Sequence, residues 1–194
     1  MKRVLVIVGT PGVGKSSVSN LLASRLDGVH VNLGDLVKDE GLSSGFDERR
    51  ETLIADEKRI SKRVQEIIRQ SEGYVIVDGH YAMHMVAPED ASLTFVLRRN
   101  PDELREVLKE RGFKQSKIEE NVAAEVLDVC LFDAVECYGE KKVCEVDTSG
   151  KTVEDVVDEI ICILNGHRKC RVGAVDWLTT LEMQGRLDEF LESF

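Results

Sequence analysis

The residue types best suited to chemistry stand together near the amino end of the chain, in residues 9–16, GTPGVGKS. They match the pattern G-x-x-x-x-G-K-[ST], with a β-branched apolar run before it and a helical pattern after it. Glycine lets the backbone turn its N–H groups inward around phosphate oxygens, and the following helix adds its N-terminal dipole. Lys15 supplies a positive charge for the β- and γ-phosphates, and the Ser16 hydroxyl is suited to ligate Mg²⁺. The segment therefore predicts a nucleoside triphosphate site.

A second chemical candidate follows the apolar run 74–77, YVIV, where Asp78 precedes Gly79 and His80. A carboxylate that emerges from a buried strand beside a phosphate loop is placed to hold Mg²⁺ through water. His80 has two interpretations, because it either orients the attacking group or bonds only to backbone. His84 would share a helical face with His80, but no third ligand stands at a metal-site spacing. We therefore expect Asp78, not a histidine pair, to serve the metal.

Residues 32–38, NLGDLVK, and the charged stretch 39–57 follow the second predicted strand. In phosphotransferring enzymes with this glycine-rich loop, the acceptor site begins at this place, and the charged stretch would fold over the acceptor. The candidate acceptor-binding residues are Gly34, Asp35, Lys38, Phe46, Arg49 and Arg50. The alternative is an ordinary polar helix pair on the surface.

Two further cations are candidates for contact with the triphosphate. Arg111 follows a helix that Pro101 opens, and a cation there can close over the transferring phosphoryl group and exclude water from it. The alternative is a solvated arginine at a helix end. Lys151, with Ser149 and Gly150, would frame the base of the nucleotide, although turn chemistry alone also explains this tripeptide.

The composition limits the kind of protein that carries these residues. The chain has 194 residues, 42% of them hydrophobic and 32% charged, which is typical of one folded domain and excludes disordered or collagen-like classes. Its formal net charge of −10 argues against wrapping duplex nucleic acid through phosphate neutralisation. Apolar runs are much shorter than the roughly 18 residues of a membrane span, and the first run is too short for a signal peptide.

The cysteines predict the compartment of the protein. There are five of them, an odd number without a C-x-x-C pair: Cys130, Cys137, Cys144, Cys162 and Cys170. The chain is also larger than the small secreted domains that depend on disulfides. We therefore expect buried free thiols in a reducing compartment, and a cytoplasmic protein.

Hydrophobic periodicity predicts strands that alternate with helices. Five short β-branched runs are typical of buried parallel strands: 4–8, 29–31, 74–77, 93–97 and 143–146. Five segments have helical spacing: 16–26, 48–70, 101–111, 116–138 and 152–164. Thr152 is the expected N-cap of the last helix, with Asp155 three residues further on. This order predicts an α/β fold, a five-stranded parallel sheet with helices on both faces.

The tail from about residue 166 has a different pattern. Leu187, Phe190, Leu191 and Phe194 recur at the spacing of a helical stripe, and Trp177 and Leu181 indicate another short helix. Two interpretations stay open, a helical cap on the surface of the domain itself or a helix that binds a partner. Because no repeat or linker divides the chain, we predict one main domain, 1–165, and a helical C-terminal extension, 166–194.

Taken together, these segments resemble the adenylate kinase isoenzyme 6 family, a branch of the nucleoside monophosphate (NMP) kinases, from residue 4 to about residue 164. The resemblance rests on residues 9–17, 32–36, 45–48, 77–80, 97–99 and 111–113, and on Lys117, Ile118 and Asn121. The glycine-rich loop is shared by a whole superfamily, whereas the Asp-x-His ending and the short Arg-Gly-aromatic lid point to this branch. The resemblance implies a three-layer P-loop NTPase fold, with an NMP-binding region at about 32–55 and a lid at about 110–120.

The resemblance also implies an activity and its residues. The implied reaction is ATP + AMP ⇌ 2 ADP with Mg²⁺, alongside ATP hydrolysis. The implied cellular role is small-subunit rRNA maturation through a small-subunit ribosomal protein, with contact to pre-rRNA, as a monomer or weak dimer. The residues carried over for ATP are Gly12, Gly14, Lys15, Ser16, Ser17, Arg111 and Lys151. Asp78 and His80 correspond to the Mg²⁺ and catalytic pair, with Lys15 and Arg111 as the catalytic cations.

The chain departs from ordinary adenylate kinases where cations are concerned. His80, Tyr81 and Ala82 replace a segment that carries an arginine, and Lys38 stands where another motif ends in arginine. Lysine lacks the bidentate fork that suits phosphate. The lid also holds fewer arginines and no zinc-binding cysteines. Because each missing cation weakens stabilisation of the transition-state charge, we expect slow turnover with some hydrolysis.

Three activities therefore stay open. The first is an adenylate kinase. The second is an ATPase switch in ribosome assembly, for which an acidic surface suits a basic ribosomal protein. The third is a P-loop kinase for another small acceptor.

Overall fold

A computed structural model describes residues 3–47 and 52–191. The strands are β1 Arg3–Val8, β2 Val29–Asn32, β3 Ser43–Asp47, β4 Thr52–Ala55, β5 Tyr74–Asp78, β6 Ala91–Arg98 and β7 Val143–Asp147. The helices are α1 Lys15–Arg25, α2 Leu33–Asp39, α3 Glu57–Gln70, α4 Ala82–Met85, α5 Pro101–Glu110, α6 Gln115–Val126, α7 Val129–Tyr138, α8 Val153–Leu164, α9 Trp177–Met183 and α10 Asp188–Leu191. A 3₁₀ turn, Glu140–Lys142, precedes β7. Within the described ranges, the helices are too short or too polar to cross a lipid bilayer.

Five of the strands form one parallel sheet in the order β2-β5-β1-β6-β7, which confirms the predicted α/β fold. All five predicted strands are present. The central strand β1 has β5 on one side and β6 on the other. The chain therefore adds strands first on one side of β1 and then on the other. In open parallel sheets, ligands bind at the carboxyl ends of the strands next to such a change of side.

The two faces of the sheet carry separate cores because successive strand residues point to opposite sides. On β1, Val4, Val6 and Val8 join the core that α3, α4 and α7 cover. Leu5 and Ile7 join the core beneath α1, α5, α6 and α8. The result is the three-layer arrangement that the alternating order predicts.

The predicted helix over 48–70 is wrong at its beginning. Residues 52–55 form β4, which pairs antiparallel with β3, and Gly45 lies opposite Ile54. The helix α3 begins only at Glu57, because the Asp56 side chain caps it by accepting from the backbone N of Arg59 at 3.2 Å. A short apolar run such as TLIA fits a strand as well as a helix, and the pairing partner decides between them.

The predicted helix over 116–138 is two helices. Asp128 separates α6 from α7 with a φ of 56°, in the left-handed region, where a helix cannot continue. The Asp128 carboxylate forms an ion pair with the buried guanidinium of Arg98. The predicted cap of α8 is confirmed, since Thr152 and Asp155 form a reciprocal capping box.

The C-terminal extension packs on the domain itself. Leu181 of α9 and Phe190 of α10 are buried in the core beneath α6, and Leu187 packs beside them. Arg186 adds an ion pair to Asp102 of α5 at 2.9 Å. Of the two interpretations of the tail, the surface cap is therefore the one observed; Phe194 lies outside the described residues.

The expectation of free thiols is wrong for two cysteines. Cys144 of β7 and Cys170 of the extension form a disulfide across a separation of 26 residues. The segment after α8 returns along the edge of β7, where the backbone N of Glu145 donates to the carbonyl of Arg171 at 2.9 Å. This return brings the two sulfurs together, and no local spacing of cysteines could reveal it. Cys130, Cys137 and Cys162 are free, but Cys130 alone of the three is buried and Cys162 is exposed, so the expectation of buried thiols is wrong for Cys162 as well.

Candidate functional site

The glycine-rich loop leaves the carboxyl end of β1 and enters α1 at Lys15. Gly9 has a φ of 139°, and a Cβ built there would lie 2.4 Å from the carbonyl oxygen of Leu97, so only glycine fits beside β6. Gly12 and Gly14 also have positive φ, of 98° and 100°. Gly14 is the N-cap of α1 and has no side chain to cover the first N–H groups of the helix. An anion at this helix end would meet both the amides and the helix dipole.

Lys15 lies folded over the loop. Its Nζ donates to the carbonyl oxygens of Gly9 at 2.8 Å and of Thr10 at 3.0 Å. Burial lowers the pKa of Lys15 from 10.5 to about 8, although the charge of Asp78 acts in the opposite direction. An incoming phosphate would offer this ammonium a stronger partner than two carbonyls, since hydrogen bonds between charged groups are the stronger ones.

The buried carboxylate of Asp78 closes the loop on the side of β5. Ser16 Oγ donates to Asp78 Oδ2 at 2.9 Å. Asn32 lies opposite Asp78 in the register of β2 and β5. Its Nδ2 donates to Ser16 Oγ at 2.9 Å and to the two carboxylate oxygens at 3.1 and 3.3 Å. Ser17, the next residue of α1, is exposed. The sheet therefore brings the two predicted Mg²⁺ ligands, Ser16 and Asp78, into direct contact.

The donor set at this edge fits Mg²⁺. A serine hydroxyl and an aspartate carboxylate are hard oxygen ligands, the kind that Mg²⁺ prefers. Mg²⁺ usually keeps several waters and is held by one or two protein groups together with substrate phosphates. In the part of the chain that the structure describes, no group of three or more His, Cys, Asp and Glu side chains could hold a metal ion by itself. The site therefore suits a metal that arrives with a nucleotide.

His80 lies beside the glycine-rich loop, just after β5. Partial desolvation, together with the positive charge of Lys15, lowers its pKa, and a contact with the backbone of Gly9 opposes this shift. The imidazole is therefore neutral at neutral pH and able to accept a proton. His84 has different surroundings, since its Nδ1 lies 3.7 Å from Sγ of Cys137 on α7.

Arg111 is the C-cap residue of α5, and residues 111–114 join α5 to α6 within the predicted lid of about 110–120. Gly112 makes the turn with a φ of 72°. The guanidinium is exposed, yet it is near enough to Lys15 for its charge to lower the pKa of that lysine. Arg111 and His80 are therefore both within electrostatic reach of Lys15.

The region predicted to bind the acceptor contains α2 and the β3–β4 hairpin. Asn32 caps α2 by accepting at Oδ1 from the backbone N of Asp35 at 3.0 Å. A cavity of about 430 Å³ lies between β2, α2 and α3, and Asn32 and Asp35 line it. Gly34 and Lys38 are exposed on α2. The side chain of Phe46 and the whole of residues 48–51, which include Arg49 and Arg50, lie outside the described part of the structure.

Lys151 is occupied by partners of its own. It lies in the turn after β7, where its Nζ donates to the carbonyl oxygen of Asp147 at 2.6 Å and to Oε2 of Glu159 at 2.9 Å. Ser149 of the same turn accepts from the backbone N of Asn100 at 2.7 Å. In the free protein this turn is thus joined to the end of β6 and to α8.

Sequence reasoning missed His30. It lies on β2, two residues before Asn32, and its Nε2 is 2.5 Å from Oδ1 of Asp78. The HVN segment carries no motif that marks the histidine. Only the pairing of β2 with β5 places it against the carboxylate.

Sequence reasoning also missed a buried charge network behind the loop. Arg98 is 1% exposed and forms ion pairs with Glu125 at 2.8 Å, with Glu145 at 2.6 Å and with Asp128. Burial opposes the charged form, but the carboxylates prevail and raise the pKa of Arg98 above its usual range. Glu125 also accepts from the hydroxyl of Thr10 at 2.7 Å. The sequence did contain one sign of this network, since Glu125 lies among the buried apolar positions of α6.

The sheet, the loop and the buried acid together define a P-loop protein with the fold of small phosphotransferring kinases. Shikimate kinase from Acinetobacter baumannii, in complex with shikimate, is similar with a TM-score of 0.64 and 12% identity, over 87% of this chain and 96% of that one. Thymidylate kinase from Candida albicans is similar with a TM-score of 0.55 and 16% identity, over 86% and 92%. At these identities the likeness shows the fold alone.

Sequence comparison shows the family. The family model described as "AAA domain" matches residues 5–128. A Methanocaldococcus jannaschii protein named "Putative adenylate kinase" is 39% identical over 173 residues, which are 89% of this chain and 92% of that protein. A Thermococcus kodakarensis protein of the same name is 41% identical over 175 residues, 90% of this chain and 92% of that one. The chain belongs to this AAA-domain family of P-loop proteins, together with these archaeal relatives.

Proposed function

We propose that this chain is a nucleoside monophosphate kinase that catalyses ATP + AMP ⇌ 2 ADP, with slow ATP hydrolysis as a side reaction. The observation that carries the proposal is the position of Asn32. Its side-chain Nδ2 contacts Ser16 and Asp78 on the triphosphate side. Its side-chain Oδ1 caps α2 on the proposed acceptor side. A protein that only hydrolyses ATP does not need an acceptor element attached to its metal ligands. The names of the archaeal relatives point to the same reaction.

Each proposed residue has a physical role in the transfer. The amides of the loop and the ammonium of Lys15 bind the β- and γ-phosphates, and Ser16 and Asp78 hold Mg²⁺. When bound, Mg²⁺ would offset the negative charge of the phosphates. His80, beside the glycine-rich loop, orients the attacking phosphate oxygen of AMP.

The remaining proposed residues contact the two nucleotides. Arg111 closes over the transferring group and excludes water, which favours transfer over hydrolysis. Lys151 leaves its partner Glu159 to frame the base of ATP. Gly34, Asp35 and Lys38, with Phe46, Arg49 and Arg50, bind the monophosphate.

The proposal includes a cellular setting that follows from the family resemblance. The formal net charge of −10 favours a basic protein partner, such as a small-subunit ribosomal protein. ATP hydrolysis would then change the affinity of the chain for that partner during small-subunit rRNA maturation, near pre-rRNA in the cytoplasm. The catalytic unit is residues 1–165, with the NMP-binding region at about 32–55 and the lid at about 110–120, and it acts as a monomer or weak dimer.

The test compares ADP formation and phosphate release with and without AMP. The kinase proposal expects ADP production that depends on AMP, with little free phosphate. Lys15→Ala serves as the inactive control, because it removes a charge contact to the phosphates; loss of such an electrostatic contact costs on the order of 10²–10³-fold in rate. Retained turnover in Lys15→Ala would contradict the assignment of the glycine-rich loop as the nucleoside triphosphate site.

Two other outcomes would replace the kinase proposal. Phosphate release that is indifferent to AMP and stimulated by a basic ribosomal protein would favour the assembly switch. If AMP, dAMP and CMP all fail as acceptors while ATP binds, the result favours a P-loop kinase for another small acceptor.

A further inference from the structure

The two oxygens of the Asp78 carboxylate have different partners. Oδ2 accepts from the hydroxyl of Ser16 at 2.9 Å, on the side of the glycine-rich loop. Oδ1 lies 2.5 Å from Nε2 of His30, on the side of the sheet edge. Because an ionised carboxylate only accepts, the imidazole must carry its proton on Nε2. One oxygen therefore faces the glycine-rich loop, and the other faces His30 at the edge of the sheet.

His30 reaches this position through the strand order. β2 is one of the two edge strands of the five-stranded sheet, and its pairing with β5 sets Asn32 opposite Asp78 and His30 opposite Ile76. Residues two apart on a strand project from the same face, so His30 and Asn32 approach the carboxylate together. The His30 side chain is 22% exposed and that of Asp78 is 1% exposed. The ring thus covers the carboxylate from the outer edge of the sheet.

Asn32 cannot hold the carboxylate by itself. Its Nδ2 shares two hydrogens among Ser16 Oγ and both oxygens of Asp78, at 2.9 to 3.3 Å. Its Oδ1 is committed to the cap of α2. The terminal torsion of an aspartate is broad, so a carboxylate without a firm partner turns easily. His30 supplies the shortest of these contacts and limits that rotation.

We propose that His30 is a positioning residue that holds Asp78 in the orientation needed to bind the Mg²⁺ of Mg·ATP. In this role His30 is not itself a ligand of the metal; it acts through Oδ1 of Asp78. Hydrogen bonds that orient a metal-ligating group typically change metal affinity by roughly 10- to 100-fold. The inference deepens the proposed function, since it concerns the triphosphate side of the same site.

The test measures how Mg²⁺ promotes ATP binding, with no acceptor present. In His30→Leu, the Mg²⁺ concentration at half-maximal ATP binding should rise about tenfold. ATP affinity in EDTA should change less than about twofold, because His30 lies away from the phosphate loop. His30→Gln keeps an N–H donor and should recover most of the Mg²⁺ affinity. The matched control is His167→Leu, an exposed histidine after α8.

Three results would overturn the proposal. The first is an unchanged Mg²⁺ dependence in His30→Leu. The second is an equal loss of ATP affinity with and without Mg²⁺, which would mark His30 as a structural residue of the edge strand. The third is failure of His30→Gln to bind Mg²⁺ any better than His30→Leu.

A measurement on the unmodified protein covers the case in which His30→Leu does not fold. In ¹⁵N NMR spectra of histidine-labelled protein, the Nε2 signal absent from His30→Gln identifies His30. The chemical shift of that signal should change when Mg·ADP replaces ADP. An unchanged chemical shift would contradict the positioning role of His30. These readouts require no acceptor. A chain that binds Mg·ATP and phosphorylates no nucleotide therefore refutes the proposed function and leaves the test of His30 intact.

Discussion

Thr10 of the glycine-rich loop and Glu125 of α6 are joined by a hydrogen bond of 2.7 Å, from Oγ1 of the threonine to Oε2 of the glutamate. The other carboxylate oxygen of Glu125 accepts from Nε of Arg98 at 2.8 Å and from the indole of Trp177 at 3.3 Å. One buried carboxylate therefore connects the phosphate loop, the end of β6 and the C-terminal extension. The shape of the loop depends on residues more than a hundred positions away.

Removal of this carboxylate should destabilise the protein. Glu125→Ala leaves the charge of Arg98 buried with one partner fewer, and breaking a buried pair in this way costs roughly 3–5 kcal/mol. Glu120→Ala is the matched control on the same helix, where an exposed ion pair to Lys117 contributes at most about 1 kcal/mol. Urea denaturation measures both variants. A loss below about 1 kcal/mol in Glu125→Ala would show that Arg98 is satisfied by its other partners.

Nucleotide binding should become dependent on pH above about 8. Burial lowers the pKa of Lys15 to about 8, so in alkaline solution the free protein has lost this proton. Phosphate favours the ammonium form, so binding takes the proton up, and affinity for ADP falls by up to about tenfold per pH unit above that value. Calorimetry in EDTA, in buffers of different ionisation enthalpy, should show uptake that approaches one proton. Lys15→Arg stays charged and should abolish the uptake; the same uptake in this variant would assign the proton to another group.

His80→Gly should reduce phosphoryl transfer far more than ATP binding. Misplacement of a reacting group by about 1 Å costs on the order of 10²-fold in rate, and the glycine-rich loop and Lys15 hold the phosphates without His80. Steady-state kinetics and ATP titration separate the two effects. His84→Gly is the control, since that ring contacts Cys137 away from the loop. Equal losses of rate and affinity in His80→Gly would identify His80 as a structural residue.

Reduction of the disulfide should loosen the C-terminal extension. In the chain-entropy model, a loop of this length, closed by Cys144 and Cys170, contributes about 3–4 kcal/mol, and its loss lowers the Tm by on the order of 10 °C. Cys144→Ser with Cys170→Ser should reproduce the effect of reductant. Cys162→Ser removes an exposed free thiol and should leave the Tm unchanged. A doubly substituted protein as stable as the parent would show that the hydrophobic contacts of α9 and α10 suffice.

Local patterns determined the sheet, the phosphate loop and the cap at Thr152. These features depend on the period of the apolar residues, the freedom of glycine and short-range hydrogen bonds, all of which lie within a few positions of one another. The shared Mg²⁺ role of Ser16 and Asp78 was also predicted, from a glycine-rich loop after one strand and an acid at the end of another. Their direct contact depends on β1 and β5 being neighbours in the sheet. The β3–β4 hairpin was not predictable in this way, since an apolar run of four residues fits either a helix or a strand.

The sequence alone determined that this protein has a triphosphate loop, an acid suited to Mg²⁺ and an α/β fold to hold them. Only the tertiary structure decided that His30 faces Asp78, that Glu125 holds Thr10 and that Cys144 meets Cys170. Each of these pairs joins residues from distant segments, and each depends on which strand or helix becomes the neighbour. Strand order and the return of the extension along β7 are settled by burial of whole apolar faces, a property of the assembled chain and not of any local motif.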